Sequence, residues 1–578
     1  MLDVAIRGAT VVDGTGGPGV VGDVGVRDGR IVELGRITEG AHGTIDADGL
    51  IVAPGFVDVH THYDAQLFWD PAGSPSNVHG VTSVIGGNCS FALAPLHAED
   101  ADYIRRMMAR VEGMPLGALE HGVPWTWETF GEFLDALEGR IGVNAGFIAG
   151  HSALRRYVLG AEANVRAADE RTLPLLEAAL DDALRGGALG FSTDISAAHM
   201  DAAGDPVPAK GATPDEHLAL CAVVGRHPGT MLSGIFQGGS TGWSPAELEH
   251  LTRMSAVADR ILTWNLLVVD AAYPERAVRQ LDLSRYARER GGRIVALTMP
   301  TNVPMTMSFG NYCALFLIPG WREIMQLPLP ERMRALRSTD NRRRMETMVN
   351  SEEAGMFRGL GNFGGYTIGD TYSPANDGLS GRPVDDIAAD RGVRPFDALL
   401  DVVLEDELRT VLWPGPSGDD DGTWAIRRSL WGDDDVLLGG SDAGAHLDRM
   451  CGGSFTTQFL ADCVRGRQLM PLEAAVHHLT DKPARLFGLR DRGRITEGSF
   501  ADLVAFDPAT IGAQPARLTH DLPDGAVRLL AGSVGVHHVF VNGVETVRHG
   551  SPTGATPGTV LRSGRDTDTV TARWRRVG

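Results

Sequence analysis

The chain has 578 residues, 43% of them apolar, and a net charge of −21. That length and apolar content fit a large domain plus a smaller one and exclude a disordered chain. So acidic a chain is a poor partner for nucleic acid, whose phosphates need clustered Lys and Arg. The five cysteines, Cys89, Cys221, Cys313, Cys451 and Cys463, are scattered and form no Cys-X-X-Cys pair. This predicts free thiols in a reducing, cytoplasmic setting. No window is apolar enough to span a membrane, and the N-terminus lacks a basic segment followed by a long apolar core.

Residues 1–57 carry short β-like runs (Val4–Ile6, Thr10–Val12, Val24–Val26, Arg30–Val32) broken at Gly14–Gly17 and Asp28-Gly29. Residues 498–545 repeat the pattern, so the two chain ends are expected to meet in one composite β domain. A buried strand follows, introduced by Pro54-Gly55 and running through Phe56-Val57-Asp58-Val59. Residues i and i+2 of a strand share a side, so His60 and His62 project together. Two imidazoles with Asp58 and Asp64 beside them suit a divalent ion such as zinc. The bland reading is a chance pair of histidines near a turn.

Further strands are expected at 81–86, 143–149, 188–193, 230–236, 260–268, 293–299 and 436–441, with helices between them, among them 172–184 and 215–224. Alternating β and α signals predict a parallel barrel, whose active site gathers at the C-terminal strand ends. The long stretches 97–140 and 300–435 read as insertions that cover a pocket or make an oligomer contact. The second holds Met299–Met307, Tyr312–Trp321 and a basic helix over Arg332–Arg344.

Pro54–His62 resembles the signature of the amidohydrolase superfamily. Residues 79–96, with Gly86-Gly87-Asn88-Cys89-Ser90, resemble its D-aminoacylase branch, the N-acyl-D-amino-acid deacylases. Gly150-His151-Ser152-Ala153-Leu154-Arg155, the strand Gly187–Asp194 and the tail Gly554–Gly558 are similar too. The resemblance implies a (β/α)8 TIM-like barrel over 58–485, with a small β-sandwich domain composed of 1–57 and 486–578. It implies metal-dependent hydrolysis of a C–N amide bond in a small molecule, an N-acyl amino acid or a peptide-like or cyclic amide. Cys89 matches the branch's cysteine ligand. Read alone, Asp442 entering a Gly turn is a helix cap; the resemblance makes it a metal ligand and proton shuttle. His60, His62, Cys89 and Asp442 are thus the expected ligands of zinc, within a homo-oligomer.

His151 and Arg155 read either as substrate contacts or as structural groups, and His446 as a rim residue or a surface one. The branch's histidines at the ends of strands five and six are missing: Gln237 and Asn265 stand in those regions, and His227 and His250 lie elsewhere. Gln237 and Asn265 are poor transition-metal ligands but can hydrogen-bond a substrate amide, so one ion is expected rather than two. The competing readings are the same fold running C–C or C–O cleavage or amide formation, and a non-catalytic relative. Retention of all four candidate ligands weighs against the latter.

Overall fold

The computed structural model describes residues 1–311, 314–416 and 418–573, so Tyr312 and Cys313 lie outside the described residues. Two compact units are present. One comprises Met1–Leu267, Glu275–Thr301 and Arg427–Gly578; the other comprises Val268–Pro274 and Asn302–Ile426.

In the first unit the chain ends share a nine-stranded sheet. Leu2–Val11 pairs with Val20–Arg27, Ala41–Asp46 and Ile51–Pro54, and Leu503–Phe506 runs antiparallel to Ile51–Pro54 with Val504 opposite Ala53. Two of the short runs expected near the N-terminus are one ten-residue strand, Leu2–Val11. A register shift between Ile6 and Ala9, around Gly8 at φ 73°, had masked its continuity. Asp28 and Gly29 both take positive φ, as a two-residue turn between right-twisted strands requires. Ile6, Val24, Val52, Leu503 and Phe540 fill one core beneath this sheet.

The same unit holds two parallel sheets. Phe56–Asp58, Val81–Gly86 and Asn144–Phe147 lie side by side, with Val560–Leu561 on their edge. Ala149–Gly150, Gly190–Ile195, Met231–Phe236, Leu262–Asn265, Ile294–Thr298 and Val436–Leu438 form the other. The ladders therefore do not run as one continuous ring. An isolated parallel bridge, Thr61 to Ala443, joins the chain just beyond the first strand to the chain just beyond the last. Val57, Ile85, Ile148, Met231, Val295 and Leu437 belong to a single buried cluster. Strands covered on both faces read as continuous apolar runs, as Ile294–Thr298 does. The expected strand 436–441 stops at Leu438 because Gly439 and Gly440 adopt φ of 146° and 89° and turn the chain.

The stretch 97–140 is helical in three pieces, Ala101–Val111, Leu116–Gly122 and Phe130–Leu137, the last opened by a Thr129/Glu132 capping box. The second unit packs helices around Trp321, Phe363, Phe396 and Leu399, with the rings of Phe363 and Phe396 stacked at 4.3 Å. The basic helix expected over Arg332–Arg344 is two helices, Leu329–Leu336 and Thr339–Val349. Ser338 breaks them, its hydroxyl accepting from the Asn341 amide as an N-cap.

Candidate metal centre

Gly55 lets the entering strand pass close to its neighbour: a Cβ there would fall 2.2 Å from Thr82. Beyond Asp58 the chain presents His60 and His62, each 1% exposed. Their rings stand 5.5 Å apart, edge to face. The second strand ends at Gly86, and a Cβ on the next residue, Gly87, would strike the Ile148 carbonyl. Cys89 and Ser90 follow, with φ of 55° and 77°. Such conformations are costly for non-glycine residues and gather where a site needs a particular direction. Asn88 pins the turn, its amide donating to the carbonyls of Thr61 and Ile85 and accepting from Ser233 Oγ.

The result is a compact trio. One ligand atom each from His60, His62 and Cys89 lies within 4.8 Å of the others, and Cys89 Sγ is 3.5 Å from His60 Nε2. Asp442 reaches the trio from the histidine side, with Oδ1 3.1 Å from His62 Nε2 and 3.5 Å from His60 Nε2. It too has positive φ, at 58°. Backbone bonds zip its loop to the histidine segment: the Asp442 amide donates to the His60 carbonyl and the His62 amide to the Ala443 carbonyl. The Asp442 side chain is 29% exposed, so the site opens there.

The electrostatics match a cation site. Burial pushes the Cys89 thiol up, but the two imidazoles outweigh it and bring the thiol down to about 6. Burial likewise opposes charge on His60, yet Cys89 and Asp442 hold that ring up at about 9, and His62 is raised as well. Asp442 is held well below the usual carboxylate range. Two anions buried at one point need positive charge between them. A divalent ion bound by the Nε2, Sγ and Oδ atoms would supply it. Two nitrogens, a thiolate and a carboxylate are a donor set suited to such an ion.

The remaining sequence candidates are placed differently. Asn265 donates from Nδ2 to Cys89 Sγ at 3.5 Å. Gln237 Oε1 accepts from the Ala197 amide, bracing the loop after Gly190–Ile195. His446 Nε2 is 3.6 Å from Asp442 Oδ2, and burial holds the ring down at about 4, so it is neutral. His151 and Arg155 are fully buried and bound to Glu216. Their carboxylate partner thus comes from the chain's own helix Pro214–Gly225, which leaves neither the free polar atoms expected of a substrate contact. His227 bonds Asp181, and His250 bonds His217.

Two neighbours escaped the sequence reading. Glu112, 3% exposed, brings Oε2 to 3.6 Å from His62 Nε2, and burial pushes its carboxyl up to about 7. His199 is held by Asp194 at 2.9 Å through Nδ1. Both sit outside any strand-end motif. No periodic signal marks either one.

A family model described as "Amidohydrolase family" matches residues 43–552. The chain belongs to this family. Within it, this amidohydrolase falls in the D-aminoacylase branch: it is 30% identical to a D-aminoacylase of Alcaligenes xylosoxydans xylosoxydans, over 97% of each chain. An N-acyl-D-aspartate deacylase of the same organism is 28% identical over 97% of this chain and 95% of its own. Among solved structures, a D-aminoacylase described for its binuclear metal centre superposes with a TM-score of 0.64 at 26% identity, covering 97% of this chain and all of that one. The fold is also that of the N-acyl-D-glutamate deacylase of Bordetella bronchiseptica, solved with zinc and a phosphonate inhibitor (TM-score 0.65, 24% identity, 97% and 100% coverage).

Proposed function

We propose that this amidohydrolase hydrolyses the amide bond of an N-acyl amino acid of the D series, with one zinc ion held by His60, His62, Cys89 and Asp442. The observation that carries the reading is the convergence of His60, His62 and Cys89, with Asp442 at 3.1 Å from His62 Nε2. The full-length likeness to D-aminoacylase supports the substrate class. One ion is favoured because the Asn265 amide occupies a side of Cys89 Sγ. The two parallel sheets are read as one (β/α)8 barrel over 58–485, supported by the Thr61–Ala443 bridge and the shared core. Residues 1–57 and 486–578 then make the composite β domain. A cytoplasmic setting is supported by the free state of Cys89, Cys221, Cys451 and Cys463.

A divalent ion held by His60, His62, Cys89 and Asp442 would supply Lewis acidity toward the scissile carbonyl and the attacking water. Asp442 takes a proton from the attacking water while the water's oxygen bonds to the acyl carbon. The carboxyl then gives the proton to the leaving nitrogen as the C–N bond breaks, yielding a carboxylic acid and a free amine. His446, neutral and beside Oδ2, orients the Asp442 carboxyl for both transfers. Burial of His60, His62 and Cys89 excludes bulk water from the reacting side.

The test is a panel of N-acetyl amino acids of both hands, followed by amine release. Release from D substrates, lost in a His60→Ala/His62→Ala variant that still folds, is the expected result. No release from any member by metal-loaded protein would overturn the reading.

A further inference from the structure

Glu112 caps the C-terminus of the helix Ala101–Val111, in the connection between the strands Val81–Gly86 and Asn144–Phe147 rather than at a strand end. Its amide donates to the Met108 carbonyl at 2.9 Å, and its own carbonyl accepts from the His446 amide. The next residue, Gly113, has φ of 58°, and a Cβ on it would meet Arg449 Nη2 and His446 Cα. The Glu112 backbone is thus locked to the loop that carries Asp442 and His446. A Cβ-free residue beside it allows that approach.

This locking aims a buried carboxylate at the metal-facing nitrogen of His62. Two donors about 2.0–2.3 Å from a shared ion, at tetrahedral to trigonal angles, lie roughly 3.3–4.0 Å apart. The Cys89–His60 and Asp442–His60 spans are both 3.5 Å, and the Glu112 Oε2–His62 Nε2 span is 3.6 Å. Glu112 stands outside the compact trio, as Asp442 does, and meets it at His62, whereas Asp442 meets both histidines. A carboxylate buried this deeply is costly unless a cation meets it.

The geometry points to Glu112 as a further ligand of the metal centre, a carboxylate delivered by the helical insertion rather than by a strand end. The inference rests on the reading of the trio as a metal site. It gives the insertion 97–140 a specific role: its first helix ends in a carboxylate that would join the donor set at His62.

The test uses the full-length protein with cobalt(II) in place of the native ion, and reads affinity by competition with a chromophoric chelator alongside the visible spectrum. Glu112→Gln preserves the shape and removes the charge. It is expected to bind cobalt about ten-fold or more weakly, the scale set by losing groups around a metal site. Its d–d bands should shift while the thiolate-to-cobalt absorption of Cys89 persists. Glu112→Asp, which keeps the charge on a shorter arm, should recover part of the affinity. Unchanged affinity and spectrum in Glu112→Gln would overturn the inference while leaving the trio intact. A wild-type protein that binds no cobalt would overturn both this and the reading beneath it. Circular dichroism of both variants separates ligand loss from unfolding. If Glu112→Gln does not fold, Glu112→Asp decides: wild-type affinity and bands there would overturn the inference.

Discussion

Asp442 Oδ1 lies 3.1 Å from His62 Nε2, although one follows the first parallel strand and the other the last. The contact is made by two short loops hydrogen-bonded to each other through backbone groups on both sides. Such a pair is positioned by the backbone rather than by side-chain packing alone. It leaves the Asp442 carboxyl partly open, at the place where a substrate amide would arrive.

From this follows the expected behaviour of Asp442→Asn. The amide retains the shape and one donor oxygen but can no longer take the proton. Turnover should fall by about 10²–10⁴-fold, the usual worth of a positioned acid–base group. Bound metal should stay near the wild-type level, because His60, His62 and Cys89 remain. Wild-type turnover in this variant, measured by amine release, would remove Asp442 from the proton path.

The buried network of His151, Arg155 and Glu216 makes a stability prediction. Burial alone would raise the Glu216 carboxyl, but bonds from His151 and Arg155 outweigh it and hold it down at about 2. Glu216→Gln strands a guanidinium with no exposed surface. Breaking such a pair costs about 3–5 kcal/mol, measurable by denaturant unfolding. The Glu216 contribution is complete above its unfolded value of 4.5 and drains as pH falls toward 2. The gap between wild type and variant should therefore narrow across that window. A gap independent of pH there would contradict the assignment.

His79 predicts a loss at milder acidity. Its Nε2 donates to the Ala531 carbonyl, so Nδ1 accepts from Thr457 Oγ1, and the ring is neutral. Burial holds it down at about 4, against 6.5 when unfolded. As pH falls through that interval the unfolded chain takes the proton first, and folding loses up to about 3 kcal/mol. A His79→Gln variant, less stable at pH 7, should show a flatter profile between 6.5 and 4 in thermal unfolding. A profile parallel to wild type would show that another group carries the loss.

What the sequence made legible follows from locality. His60, His62 and Cys89 are directed by a strand, a Pro-Gly turn and a Gly-Gly-Asn turn, all written within a few residues. The closing of the two chain ends into one sheet was readable from matching strand patterns. The full run of Leu2–Val11 was not, because Gly8 interrupts it. Arg155 was read as either a substrate contact or a structural group, and no local signal says that Glu216 is its partner. Glu112 was invisible for the same reason: only its tertiary lock onto the His446 backbone turns an ordinary helix-end glutamate toward the site.

The most direct measurement is metal content joined to activity. Protein purified without added metal, and the same protein after chelation and readdition of zinc, should be assayed for amine release from N-acetyl-D-amino acids. About one ion per chain is predicted from the donor set, with activity lost on chelation and restored by zinc. Full activity in a preparation that holds no metal would contradict the account.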